Sequence, residues 1–227
     1  MKVNLNGLTV AFDLDGTLVE TAPDLIRATN HVMALAGLAP VDGSTLRDQI
    51  SFGSRAMIEH AFRIHRTQMS SSEVDRMQQR FLEFYASNIA GESHAYPGLE
   101  DALDRLAARG AQLVVCTNKQ ESLSRQLLDA LDLSRRFAAI AGRDTFPVYK
   151  PHPDHLTGAI RLAGGDLSRA VMVGDSETDI KTARAARVPV IGVPFGYSDT
   201  PIYELGADFI IEHFNDLEHA IEQLCRT

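Results

Sequence analysis

No stretch of this 227-residue chain is apolar for the roughly 18–20 residues that a membrane-spanning helix needs, so no such helix and no membrane partner are expected. Cysteine is scarce. Cys116 lies in an apolar run and Cys225 near the C-terminus, so two reduced thiols are expected rather than a disulfide, and neither has the spacing of a zinc site. No block of basic residues stands out, and acids outnumber bases 30 to 22 for a formal charge of −8, which argues against a broad nucleic-acid-binding face. The opening residues, MKVNLNGLTV, lack the apolar core and small-residue cleavage site of a signal peptide, and the expected compartment is the cytoplasm. Internal repeats and long low-complexity segments are absent too. What remains is an ordinary soluble composition, and a small anionic ligand then needs local help from a metal, a lysine or backbone N–H groups.

The pattern along the chain has three parts. Residues 1–18 hold an apolar strand, LTVAF, and an acidic turn, DLDGT. Residues 19–92 show only helix-like apolar spacing and no convincing strand; the serines at 70–72 before Glu73 read as a helix start. From Tyr96 onward, short apolar strands (AQLVVCT, FAAIAG, AVMVGD, VPVIGV, ADFIIE) alternate with helices. That alternation predicts an α/β fold, a Rossmann-like three-layer structure with a parallel sheet covered on both faces. The expected division is an α/β core of residues 1–18 and 93–227 with a helical domain of residues 19–92 inserted after the first strand. Ligands in such sheets bind beyond the carboxyl ends of the strands, where strand order switches. The polar stretches just after the strands, FDLDGT, CTNK and VGDSETD, therefore carry the candidate site.

Asp13 and Asp15 are two residues apart at a strand end, and a continuing strand would place both carboxylates on one face. Two like charges about 4 Å apart at an effective dielectric near 20 repel by roughly 4 kcal/mol. A cation, a shared proton or a bend at Gly16 has to relieve that; alternatively one Asp caps a helix and the other is solvated. Asp175 again follows an apolar strand directly, with Asp179 one helical turn on; helix capping explains one of these acids, but less readily an acidic pair opposite another acidic pair. Hard oxygen ligands around an open site suit Mg²⁺. Thr117 and Asn118 offer a hydroxyl and an amide after the CTNK strand, for phosphate or simply for a helix cap. Lys150, stiffened by Pro151 and Pro153, is placed to neutralise such a site, or else is solvent-exposed; Lys119 reads as an exposed lysine.

Taken in order, Asp13-Leu-Asp15-Gly-Thr17, Thr117-Asn118, Lys150-Pro151 and Gly174-Asp175-Ser-Glu-Thr-Asp179 resemble the four motifs of the haloacid dehalogenase superfamily of phosphotransferases, over nearly the whole chain. The helical insert looks like that family's C1 cap. The resemblance implies Asp13 as a nucleophile forming an aspartyl-phosphate and Asp15 as general acid and base. It implies Mg²⁺ held by Asp13, Asp15 (through its carbonyl), Asp175 and Asp179, with Thr117, Asn118 and Lys150 on the phosphoryl oxygens. Within the family, FDLDGTLVETAPDL, HAYPGL, TFPVYKPHPDHL and GVPFGYSDTPIYELGADFII look like the phosphoglycolate phosphatase branch, which makes a small phosphorylated metabolite, 2-phosphoglycolate, the favoured substrate and a monomer or homodimer the expected state. In the cap, Gly53, Ser54 and Arg55 are the candidates for meeting substrate: Gly53 for close backbone approach, and Arg55, or Arg27 from the preceding helix, for a substrate carboxylate. Other C1-capped phosphatases, a pyrophosphatase or a phosphosugar mutase share the core motifs. A phosphonatase needs a cap lysine, and no lysine lies between Lys2 and Lys119. From a different class, a signalling receiver or a non-catalytic phospho-binding module is disfavoured by chain length and by intact Asp13, Asp15, Lys150 and Asp175.

Overall fold

Successive residues of the LTVAF strand enter opposite cores. Val10 and Phe12 join one buried cluster and Ala11 the other, each with no exposure to solvent. Leu113 and Val115 alternate with Val114 and Cys116 in the same way, and Val171 and Val173 with Met172. A strand whose two faces are both apolar belongs inside a sheet covered on both sides. In the computed structural model, which describes residues 4–225, β1 (Thr9–Phe12) is central.

The chain then runs through β2 (Val19–Glu20), α1 (Ala22–Leu35), α2 (Gly43–Arg47), α3 (Ser54–Ile64), α4 (Ser71–Ser87), β3 (His94–Ala95), α5 (Leu99–Ala108) and β4 (Gln112–Cys116). It continues with α6 (Glu121–Ala130), β5 (Ala139–Ala141), α7 (Pro153–Leu162), β6 (Ala170–Gly174), α8 (Glu177–Ala186), β7 (Val190–Gly192), α9 (Ile202–Leu205), β8 (Phe209–Ile210) and α10 (Leu217–Leu224). The main sheet has the order β5-β4-β1-β6-β7-β8 and every pairing in it is parallel. Helices α7 and α8 supply Leu156, Ile160 and Ile180 to one face; α5, α6 and α10 supply Leu103, Leu127 and Ile221 to the other. Burying each such side chain contributes roughly 1.5–3 kcal/mol. The expected three-layer α/β architecture is therefore present, and the switch in strand order lies at β1, with β4 on one side and β6 on the other.

Between β2 and β3 the chain is helical, and α1 packs on both α3 and α4. Ser70 caps α4 in a capping box with Glu73, as the serine run at 70–72 predicts. The reading of 19–92 as strand-free needs one correction: Val19 and Glu20 pair antiparallel with Ala95 and His94. Two residues are too few to carry a period-2 signal.

Candidate active site

The strand ladder extends one residue past β1, since Asp13 N–H donates to the Val173 carbonyl (3.0 Å). The chain then leaves the sheet in a tight turn. Leu14 is buried, and its carbonyl accepts from the N–H groups of Thr17, Leu18 and Val19. Gly16 closes the turn at φ +81°, and a Cβ there would lie 2.6 Å from Asp175 Oδ2. Glycine is required both for the backbone and for this approach. Thr17 Oγ1 donates to Asp175 Oδ1 (2.9 Å), so the first motif positions the last.

The two acids of DLDGT face different cations. Asp13 Oδ1 accepts from Leu14 N–H (2.7 Å) and Lys150 Nζ (2.9 Å). Lys150, buried, also donates to Asp179 Oδ1 (2.6 Å). Asp179 Oδ2 accepts from Ser176 N–H (3.1 Å) and Oγ (2.7 Å), a capping box at the start of α8. One oxygen from each of Asp13, Asp175 and Asp179 lies within 4.8 Å of the others. Three carboxylates against one ammonium is an unbalanced buried charge. Burial first, then the neighbouring acids, pushes Asp13 up to about 6 and Asp175 up to about 8. Burial acts to lower the Lys150 ammonium, but Asp13 and Asp179 outweigh it and hold it above its usual range. A hard all-oxygen donor set with surplus negative charge fits a divalent cation.

Asp15 instead meets Lys119, whose Nζ lies 3.0 and 3.3 Å from its two oxygens and also donates to Tyr85 Oη (2.8 Å) on α4. This corrects the expectation of an exposed Lys119: its side chain is only 6% exposed. The reason is local. Lys119 N–H bonds Thr117 Oγ1 and its carbonyl accepts from Arg143 N–H, so the loop after β4 is held with the side chain turned inward.

Thr117 is buried beside these groups. Asn118 uses its side-chain N–H to hold the Lys150 carbonyl (2.9 Å), so that amide fixes the lysine loop. A cavity of about 520 Å³ opens over Asp13, Asp15, Thr117, Lys150 and Asp175, walled on the insert side by Phe52, Met57 and Phe81 among others. Gly53, Ser54 and Arg55 line it as well, with different contacts from those expected. Gly53 has φ +88°, a conformation that favours glycine, and no protein atom lies within 4 Å of a Cβ built there. Ser54 Oγ accepts from Gln78. Arg55 is engaged by Glu59 (3.0 Å), Asp75 (2.5 Å) and Ser71 Oγ (3.2 Å). Arg27 is not in the lining; its guanidinium is taken by Asp24 (2.7 Å), Glu92 (3.4 Å) and the Asn88 carbonyl (3.1 Å).

Sequence reasoning missed Tyr197. Its N–H donates to Asp175 Oδ2 (2.8 Å), while its hydroxyl donates to Glu20 Oε1 (2.7 Å) and accepts from the N–H groups of Thr21 and Ala22 (2.6 and 2.9 Å). One residue thus ties the acidic cluster, through its backbone N–H, to the point where the chain enters the insert, through its hydroxyl. Nothing in FGYSD announces it.

The family model for haloacid dehalogenase-like hydrolases matches residues 10–193. The chain belongs to that family. Among its relatives, a phosphoglycolate phosphatase of Mesorhizobium japonicum is 49% identical over 92% of both chains. One of Agrobacterium fabrum is 48% identical over 92% of this chain and 90% of its own. A crystal structure described as a predicted phosphoglycolate phosphatase from Haemophilus somnus superposes with a TM-score of 0.88 at 28% identity, covering 95% of this chain and 98% of its own. The hydrolase is thus an α/β enzyme of the haloacid dehalogenase type, and no helix among its described residues is long and apolar enough to cross a membrane.

Proposed function

We propose that this hydrolase removes the phosphoryl group of 2-phosphoglycolate, through a covalent Asp13 intermediate and with Mg²⁺ bound, in the cytoplasm. The observation that carries the mechanism is the separation of the two acids: Asp13 lies against Lys150 in the acidic cluster, and Asp15 lies apart from it on Lys119. The substrate rests on the relatives' activity and is supported by the Lys119 ammonium beside Asp15 in the cavity.

Asp13 attacks phosphorus as the bond to the leaving oxygen breaks, and Asp15 gives that oxygen its proton. Water then attacks the aspartyl-phosphate, Asp15 takes the water's proton, and inorganic phosphate leaves Asp13 free. A carboxylate attacking a phosphate dianion meets repulsion of roughly 4 kcal/mol per charge pair at 4 Å and a dielectric near 20, which Lys150 offsets in part. Asp13, the Asp15 carbonyl and Asp175 are the groups to hold Mg²⁺, which supplies the remaining positive charge at the phosphoryl oxygens. Asp179 serves the site by fixing Lys150, and it would add its negative charge to the cation's surroundings, directly or through water. Thr117 is the hydroxyl donor to phosphate. Residues 19–92 act as a cap whose Phe52 and Met57 keep water out when closed.

Phosphate release from 2-phosphoglycolate, beside a hexose phosphate and p-nitrophenyl phosphate, tests this directly. Release should require Mg²⁺, stop with EDTA and favour 2-phosphoglycolate. Asp13→Asn should lose at least about a thousandfold in kcat with an unchanged circular dichroism spectrum. Turnover indifferent to EDTA, or substantial turnover by Asp13→Asn, removes the mechanism; a preference for the hexose phosphate removes the substrate.

A further inference from the structure

Four cationic side chains line the cavity: Arg55, Lys119, Arg143 and Lys150. Lys150 is committed to Asp13 and Asp179, and Arg55 to the α3 and α4 carboxylates. Arg143 lies over the ring of Tyr149 at 3.9 Å, on the loop after the edge strand β5. Lys119 differs from all three. It is the cation that touches Asp15, and it does so while bonded to a phenol carried by the insert.

Chemistry fixes where a carboxylate-bearing substrate must be read. Its leaving oxygen has to sit at Asp15 to receive a proton. In a phosphorylated 2-hydroxy acid the carboxyl carbon is only two bonds from that oxygen. A group that recognises the carboxylate is therefore to be sought in the immediate neighbourhood of Asp15. We infer that Lys119, backed by Tyr85, is the specificity-determining pair that binds the substrate carboxylate beside the leaving oxygen. An ammonium has three donors. Two contacts go to Asp15 and one to Tyr85, and the longer 3.3 Å contact to Oδ2 is the one a substrate carboxylate displaces. Tyr85 Oη accepts from Lys119 and keeps its own hydrogen for the same anion; burial, its largest influence, holds the phenol protonated by pushing it up to about 12. Because Tyr85 belongs to α4 and Lys119 to the loop after β4, the pair is complete only when insert and core are together.

This inference rests on the proposed substrate class, and the experiment separates the two. kcat/KM is measured on 2-phosphoglycolate and on ethyl phosphate, which lacks the carboxylate, for wild type, Lys119→Gln, Tyr85→Phe and Arg143→Ala. The expected result is that the phosphoglycolate-to-ethyl phosphate ratio falls about 10- to 100-fold in Lys119→Gln, as loss of a charge-assisted hydrogen bond implies, and severalfold in Tyr85→Phe. Tyr85→Phe removes a single hydroxyl and carries the test alone if Lys119→Gln does not fold. Equal losses on both substrates in the two variants, which a purely structural or Asp15-positioning role produces, overturn the inference while leaving the substrate reading intact. So does a fall in the ratio confined to Arg143→Ala. A wild type without preference for the carboxylate substrate overturns both.

Discussion

At the scale of single residues, Gly16 and His155 show how little room the site leaves. Gly16→Ala meets both the strain of φ +81° and an atom 2.6 Å away on Asp175. It should cost at least about 1 kcal/mol in urea unfolding and weaken Mg²⁺ binding severalfold in a calorimetric titration, since Asp175 must move. His155 is buried between Cys116 Sγ (3.5 Å from Nδ1) and the Gly142 carbonyl (3.0 Å from Nε2). Burial, against the Gly142 bond and with help from the Lys150 charge, pushes it down to about 4. The folded state then refuses a proton that the unfolded chain takes up below about 6.5. Stability from this group is complete above pH 6.5 and is lost as pH falls toward 4, by about 2 kcal/mol between pH 7 and 5. His155→Gln should flatten that part of the pH profile in denaturant midpoints, and an unchanged slope would reject the assignment. Both aspartates of DLDGT were visible in the sequence because two acids one residue apart at a buried strand end need a cation, a proton or a bend to relieve their repulsion. The inward turn of Lys119 was not, because no periodicity governs side-chain direction in a loop.

At the scale of elements, the entry to the insert is held by one tyrosine. The Tyr197 hydroxyl meets two N–H groups at the start of α1 and Glu20 in β2, and Arg47 completes the cluster by bonding Glu20 (2.6 Å). Tyr197→Phe leaves the buried Thr21 N–H without its acceptor, while Ala22 N–H keeps Glu20 Oε1 (3.1 Å), which should lower stability by roughly 1–3 kcal/mol in urea titration. A variant as stable as wild type would show that water replaces the phenol. The long helices were legible from apolar spacing and from caps such as Ser70. The β2–β3 pair and α9, of two and four residues, were not, since neither spans enough chain to show a period. The arginines assigned to substrate, Arg27 and Arg55, have acidic partners on neighbouring turns or helices. A pattern one helix long does not reveal a partner on the next.

At the scale of the whole molecule, the acids meet because β1 and β6 are adjacent in the sheet although far apart in the chain. Without metal their crowding opposes folding. Asp13 and Asp175 keep their protons to about 6 and 8, while the unfolded chain ionises them near 3.8. Metal-free stability should therefore fall as pH rises from about 4 to 8. Added Mg²⁺ should raise the melting temperature, and more at pH 8 than at pH 5.5, where it must displace protons. Equal increments at both pH values in thermal scans would argue that the cluster does not hold the ion. Motif order made this assembly legible; the pairing of each acid with its own lysine needed coordinates. The centrality of β1 also bears on synthesis. Thr9 pairs with Gln112 on one side and Ala170 on the other, so the first strand made is among the last to be covered. At synthesis rates of roughly 5–20 residues per second the LTVAF segment waits on the order of ten seconds with both edges open before β4 is made. Nascent chains halted before β6 should accordingly depend on chaperones to stay in solution, however intact the helices that follow β1.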